Sequence, residues 1–238
     1  MRENLPVIAL MKLKLLLLGT LFSLKSFTQS DNPILKFCFL CAIDDCSFPT
    51  LQAGIEFGLN NRISLYTEAG IKYRKGYYEN ADSNIVTSKG FKLKTELRYY
   101  IHNKRYQSSF SSEEGLYLGL NCFYTRTRYN TSVSYFYRRD TSMRKDDCFG
   151  VKKDVVGLNV LVGRQKVMWK IFMFDVYTGI GVRFRSIDTV KKEIEYNQDF
   201  LLGPIDLTVY GIRNMIDVKG KKTIIPNLTL GIRFCYRL

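Results

Sequence analysis

The closing stretch Thr229–Leu238, TLGIRFCYRL, alternates without a break: Leu230, Ile232, Phe234, Tyr236 and Leu238 fall on one side, and Thr229, Gly231, Arg233, Cys235 and Arg237 on the other. Successive side chains of a β-strand point to opposite faces, so this is a strand with one apolar and one charged face. Two environments accept it. Either an apolar core lies inside and water outside, or hydrocarbon lies outside a polar interior. The rest of the chain has to decide which.

The same alternation recurs in about eight segments: a weak one at 33–42, then 50–59, 62–74, 90–101, 115–127, 153–164, 169–185 and 225–238. Long helical patterns are missing. In RISLYTEAGIKY (62–73) Ile63, Leu65, Thr67, Ala69, Ile71 and Tyr73 oppose Ser64, Tyr66, Glu68, Gly70 and Lys72. In FKLKTELRYYI (91–101) Phe91, Leu93, Thr95, Leu97, Tyr99 and Ile101 oppose Lys92, Lys94, Glu96, Arg98 and Tyr100. In FMFDVYTGIGVRF (172–184) Phe172, Phe174, Val176, Ile180, Val182 and Phe184 oppose Asp175, Arg183 and glycines. Every charge falls on the polar side.

Alternation alone does not say which face is concave, but glycine does. Gly54, Gly58, Gly70, Gly119, Gly157, Gly163, Gly179, Gly181 and Gly231 share parity with the charged residues. An eight-stranded barrel has an interior barely wide enough for side chains, so long polar side chains there need neighbours with none. The polar face is therefore the lumen, and a charge on the opposite face would cost roughly 2–4 kcal/mol at a bilayer midplane. Connection lengths agree: those at 60–61 and 165–168 are tight, while 75–89, 128–152 and 186–224 are long, with 102–114 moderately long for its end. The fold expected is all-β, an eight-stranded antiparallel up-and-down transmembrane β-barrel with a polar lumen, short periplasmic turns and long outer loops. A soluble barrel around an apolar ligand is the alternative, with the faces exchanged.

The N-terminus fits export. MKLKLLLLGTLFSLKSFTQS (11–30) carries two lysines, an apolar run from Leu15 to Phe22, then small and polar residues, the pattern of a secretory signal peptide. The run falls short of the about 20 apolar residues that a membrane-spanning helix needs. We expect a signal peptide over 1–28, cleaved near Thr28 or Gln29, with Met11 as the natural start and 1–10 an upstream mis-start; the barrel domain takes 29–238. The full chain carries a net charge of +14, and losing Arg2, Lys12, Lys14, Lys25 and Glu3 leaves 32 basic and 21 acidic residues, net +11. In an exported protein that excess points away from nucleic acid and toward anionic lipid, lipopolysaccharide phosphate or polyanionic glycans.

The closing segment also reads polar, glycine, aromatic, aromatic at Thr229, Gly231, Phe234 and Tyr236, and so resembles the C-terminal signal read by the outer-membrane barrel-assembly machinery, although Arg237 and Leu238 follow it. Together with GIEFGLNNRISL, ELRYY, GLYLGLNCFYTRTRYN, VVGLNVLVGRQ and DVYTGIGVRFR, it resembles an uncharacterised family of small outer-membrane β-barrels of Gram-negative bacteria, OmpA/OmpX-like in architecture, over roughly residues 50–185 and the last strand. The resemblance implies fold and location. It supplies no catalytic residues.

The candidate chemistry is sparse. The lumen is expected to hold Glu56, Glu68, Lys72, Lys92, Lys94, Glu96, Arg98, Asp175, Arg183, Arg233 and Arg237; buried charges must be paired, so these form a salt-bridge plug or, alternatively, line a narrow anion-permeable pore. In the outer loops TRTRYNTSVSYFYRRD interleaves Arg126, Arg128, Tyr129, Tyr135, Arg138 and Arg139, suited to a surface ligand or to lipopolysaccharide contact. Of the six cysteines, Cys41, Cys46 and Cys148 lie near the outer rim, where a disulfide among them is one reading and free, buried thiols are the other; Cys122 faces lipid and Cys235 the lumen, so those two should not pair. Cys38 and Cys41 have redox spacing but would point to opposite faces of a strand. An outer-membrane lipid A-modifying enzyme would need a base, and the one histidine, His102, sits at the periplasmic end without an adjoining serine motif. Nucleotide, metal-ligand and calcium-loop patterns are absent from the sequence. The expectation is a protein without catalysis or cofactor, whose partners are outer-membrane lipid, lipopolysaccharide, the assembly machinery and an unidentified extracellular ligand.

Overall fold

The computed structural model describes residues 33–38, 50–73, 88–101, 115–139, 142–169, 171–195, 200–202 and 222–238. The segment expected to be a signal peptide, His102, Cys41 and Cys46 lie outside the described residues.

Nine strands form among the described residues: β1 (Ile34–Phe37), β2 (Thr50–Gly58), β3 (Ile63–Lys72), β4 (Ser88–Ile101), β5 (Gly115–Phe136), β6 (Arg144–Val167), β7 (Phe172–Val190), β8 (Phe200–Leu202) and β9 (Lys222–Arg237). Each pairs antiparallel with its neighbour. The weak first segment is real and decisive: four-residue β1 pairs with β2 on one side, Lys36 opposite Gly54, and with β9 on the other, Lys36 opposite Cys235. Eight strands therefore run up and down in a closed ring. Short β8 hangs on the edge of β5 at Ser134–Phe136.

Termini and tight turns share one end of the ring. At Leu59–Arg62 the Asn60 side chain accepts hydrogen bonds from the Arg62 and Ile63 amides, both at 2.8 Å, which is how asparagine mimics a backbone turn. After Val167 the Met168 amide donates to Phe172 O at 2.9 Å. The opposite, open end differs from expectation. The stretch 128–152 is not a loop: β5 and β6 continue as a ribbon to Phe136 and Arg144, joined by a turn in which Arg138 takes φ 48°. The last connection is shortened likewise, since β7 runs on to Val190 and no helix forms over 186–195.

The faces are disposed as the glycine parity predicts. Leu120, Ile180, Leu228 and Leu230 are 58%, 69%, 78% and 75% exposed on the outside, whereas Glu96, Arg98, Asp175 and Arg233 are 0% exposed within. Leu97 likewise faces out and Lys94 in. Apolar side chains on an outer wall and charges inside reverse the usual order of a protein in water. The outer band is bounded by aromatics. Near the turns Phe172 packs on Phe234 and Tyr236 at 5.2 and 5.5 Å, with Trp169 6.1 Å from Phe172; near the open end Phe91 meets Tyr124 edge-on at 5.8 Å. From Phe174 to Phe184 are ten steps along β7, which at about 3.4 Å each and a tilt of roughly 40° rise about 26 Å.

Candidate functional site

The interior is built around Asp175 of β7. Its Oδ2 accepts from Arg98 at 2.8 Å and from Lys36 and Arg233 at 3.1 Å each, and its Oδ1 accepts from the Tyr117 hydroxyl at 2.7 Å. Glu56 accepts from Arg98 at 3.1 Å and Tyr100 at 2.8 Å, and is also held by Lys36 and Ser64. Glu96 takes Arg98 Nε at 2.8 Å and Arg233 at 3.1 Å, with Lys94 3.8 Å away. Glu68 lies 3.4 Å from Arg233 Nε, an ion pair without hydrogen-bond alignment, and receives the Tyr66 hydroxyl. Four carboxylates thus face four cations, Lys36, Lys94, Arg98 and Arg233. The cluster is electrically balanced, and every member is buried.

Aromatic rings fill the space between the charges. The Arg98 guanidinium lies 4.4 Å from the Tyr117 ring centre, and that of Arg233 3.9 Å from Tyr177 and 4.5 Å from Tyr66. Cations over ring faces gain most where water is excluded. Tyr117, Gly163, Tyr177 and Gly231 stand in one row across β5, β6, β7 and β9, and a Cβ on either glycine would collide with the neighbouring tyrosine ring. At these two positions, and at Gly54 beside Tyr66, glycine makes room for tyrosine, while Gly157 makes room for Phe123 and Gly179 for Leu161, and not for the long charged side chains expected. Nearer the open end, Asn227 donates to Asn159 at 2.7 Å and Asn159 to Asn121 at 2.9 Å, a chain that crosses Gly181. At the turn end Ile34, Met173 and Cys235 close the interior with an apolar layer.

At the open end the character changes. Tyr129, Tyr135, Phe149, Val151, Ile187 and Ile194 form a buried apolar cluster with Tyr137 packed against it. Asp147 fastens the segment after β7 to the ribbon by accepting the Glu193 and Ile194 amides at 2.8 and 3.0 Å. Outward at the rim, Asp154 accepts from Arg126 at 2.6 Å and from the Tyr124 hydroxyl at 2.7 Å. Partial desolvation pushes the Asp154 carboxyl up, but Arg126 and Tyr124 outweigh it and hold the group below its ordinary value.

Of the residues expected in the lumen, Glu56, Glu68, Lys94, Glu96, Arg98, Asp175 and Arg233 meet in one network, as derived above. Lys72, donating to Ser88 at 2.7 Å, and half-buried Lys92, 5.9 Å from the Phe123 ring, lie nearer the open end. Arg183 has the inward parity but is exposed, and Arg237 is half-buried with its terminal nitrogen 3.8 Å from Met173 Sδ. Lys36 and Gln165 were missed, although Gln165 Oε1 accepts from Lys36 at 2.6 Å. The parity rule reaches Gln165, and Lys36 opposes Gly54; the weak first segment hid the latter.

Among the loop candidates Tyr129 and Tyr135 are buried, so they present no face to an outside ligand. Arg126, Arg128 and Arg138 reach the surface, and Arg138 lies over the Tyr137 ring at 5.3 Å. The Arg139 side chain lies outside the described residues. Cys148 is a free, exposed thiol, which removes it from the expected rim disulfide, whereas Cys38 is disulfide-bonded to a partner outside the described residues. Cys122 is exposed and Cys235 buried, both free. In the assembly signal, Gly231 faces in, and Phe234 and Tyr236 join the outer aromatic group around Phe172. Among the described residues no group of three His, Cys, Asp or Glu is placed to hold a metal ion.

Comparison of this chain with protein-family models, curated proteins and solved structures finds no match.

Proposed function

We propose that this chain is a non-enzymatic outer-membrane β-barrel protein whose eight ring strands cross the bilayer, whose interior is a closed plug, and whose open end serves a structural, adhesive or ligand-binding role at the cell surface. The observation that carries this reading is a reversal of polarity along β5, β6 and β7. Within the ring their outward residues are mainly apolar and their inward residues mainly polar; beyond it, the outward residues include Asn130, Ser132, Ser134, Asp146 and Asp188, with Phe136 and Val190 as apolar exceptions, and the inward ones include Tyr129, Phe149, Val151 and Ile187. One set of strands is thus adapted to two solvents. The outer band's rise of about 26 Å suits the ≈25 Å apolar belt of outer-membrane barrels, and the flanking aromatics suit its girdles.

The resemblance to small outer-membrane barrels, the N-terminal export signal and the aromatic closing strand support the same reading, with lipid, lipopolysaccharide and the assembly machinery as partners. The balanced charges favour a plug over an anion-permeable pore. Membrane fractionation tests the proposal: the protein should sediment with outer membranes, resist carbonate extraction, need detergent for release, and migrate differently on gels when boiled. Release without detergent would sink it. Refolded protein in planar bilayers should be silent; steady anion-selective conductance would replace the plug with a channel.

A further inference from the structure

The outer wall carries one basic patch that neither the plug nor the hairpin core uses. Lys89, Arg128 and Lys152 stand side by side in register across β4, β5 and β6, all on the outward face, and Arg126 lies one row below. Like charges directly opposite on neighbouring strands repel. Among the described residues little relieves them. Arg126 and Lys152 share one carboxylate, Asp154, at 2.6 and 3.6 Å. Lys89 and Arg128 make no ion pair among the described residues, and Asp188, which ends the row opposite Lys152, pairs with none of the four.

The position of the patch selects its partner. These side chains point sideways from the ring and not up from its mouth, so a ligand must lie beside the wall. The row sits two rows above Tyr124, and the aromatic boundary formed by Phe91 and Tyr124 separates it from the apolar band. The row stands two residues beyond Phe91 and four beyond Tyr124, which at about 3.4 Å each and a tilt of roughly 40° is about 5–10 Å past that boundary. That is headgroup depth. Strands about 4.8 Å apart bring three cations within reach of one anion, and the arginine can engage two of its oxygens at once. Eight residues farther down the same strands, about 21 Å below the row by the same arithmetic, lies an open apolar groove of about 280 Å³ lined by Ile63, Leu97, Leu118, Leu120 and Val160, at a depth that only the lower part of an acyl chain would reach.

We propose that Lys89, Arg128 and Lys152, with Arg126 beneath them, form a site for the phosphate group of an outer-leaflet lipid whose acyl chain descends along β4–β6. The site rests on the barrel reading above, and the test separates the two. The full-length protein is refolded into zwitterionic detergent and offered a phosphorylated lipid A, and, separately, the same lipid without its phosphates, with retention read by native mass spectrometry. The unaltered protein should retain the phosphorylated lipid and release the other. The triple variant Lys89→Gln, Arg128→Gln, Lys152→Gln should bind it on the order of 100-fold more weakly, since each cation near an anionic surface contributes about a factor of five; Arg128→Gln alone should lose about fivefold. Mobility with and without boiling is read on each sample. A chain that never acquires the folded mobility overturns the barrel reading and this site with it. A folded chain that retains both lipids equally, a triple variant that binds like the parent, or displacement by inorganic phosphate at equal concentration overturns the lipid site alone.

Discussion

The interior of the ring and the cluster at its open end occupy the same side of the same strands, yet they are opposites. Asp175 and Ile187 both point inward from β7; one is surrounded by cations, the other by Tyr129, Phe149 and Val151. Nothing in strand geometry demands the change, because the two-residue period runs through both. What changes is the other face. Where the outer wall is Leu, Ile and Val, the inside is polar; where it turns to Asn, Ser and Asp, the inside becomes an ordinary apolar core. The difference teaches that a strand's sequence records the solvent on each side, so that on the proposed membrane reading the change of solvent is located to a row, between Tyr124 and Arg128.

Five substitutions probe this contrast. The largest effect should come from Asp175→Ala. It strips the carboxylate from Lys36, Arg98 and Arg233, and breaking a buried pair costs about 3–5 kcal/mol; urea unfolding in detergent or vesicles should show the loss, and an unchanged midpoint would mean that the interior is hydrated. Next, Leu120→Arg should cost about 2–4 kcal/mol if its row faces a bilayer midplane, whereas Ser132→Arg, on the same face of β5 beyond the boundary, should be near neutral. Equal costs would erase the two-solvent distinction. A milder change, Ile187→Val, trims the open-end cluster and should cost about 1 kcal/mol; hydrogen exchange should then quicken in the ribbon and not in the ring. The smallest effect concerns Asp154. Its carboxyl is depressed in the folded protein, so the Arg126 contact contributes above the ordinary aspartate value of 3.8 and is lost as pH falls through the lower folded value. For a partly exposed pair this is a few tenths of a kcal/mol, and Asp154→Asn should abolish that increment of acid sensitivity.

Much of the ring was legible because its cause is local. Alternation in 62–73, 91–101 and 172–184 places each strand and its faces, glycine parity points the charges inward, and the uneven connections assign turns and termini to one end. Three things escaped. Lys36 sits on a strand of four residues, too short for periodicity to stand out, and its place depends on pairing with β2 and β9, which are remote in sequence. The interior tyrosines carry no charge, so Tyr66, Tyr117 and Tyr177, whose rings lie against Arg98, Arg233 and the glycines, and Tyr100, whose hydroxyl donates to Glu56, give no signal of a role in the sequence. The ribbon 128–152 reads as loop because mixed Arg, Tyr and Ser look like an irregular surface; its alternation continues with polarity exchanged, which a search for one fixed pattern passes over.

Closure of the ring by β1 has a consequence for how the molecule can be made. Leu35 lies opposite Ile55 on one side and Tyr236 on the other, so the circle closes through a seam that cannot exist until β1 has docked between β2 and β9. Until then two sheet edges stay open, and the carboxylates of Glu56 and Asp175 lack the ammonium that Lys36 delivers. Docking of this one short segment simultaneously removes the exposed edges and completes the charge balance, so it acts as a latch: a nascent chain missing either end should remain an unsealed, negatively biased cup, open to chaperones and proteases.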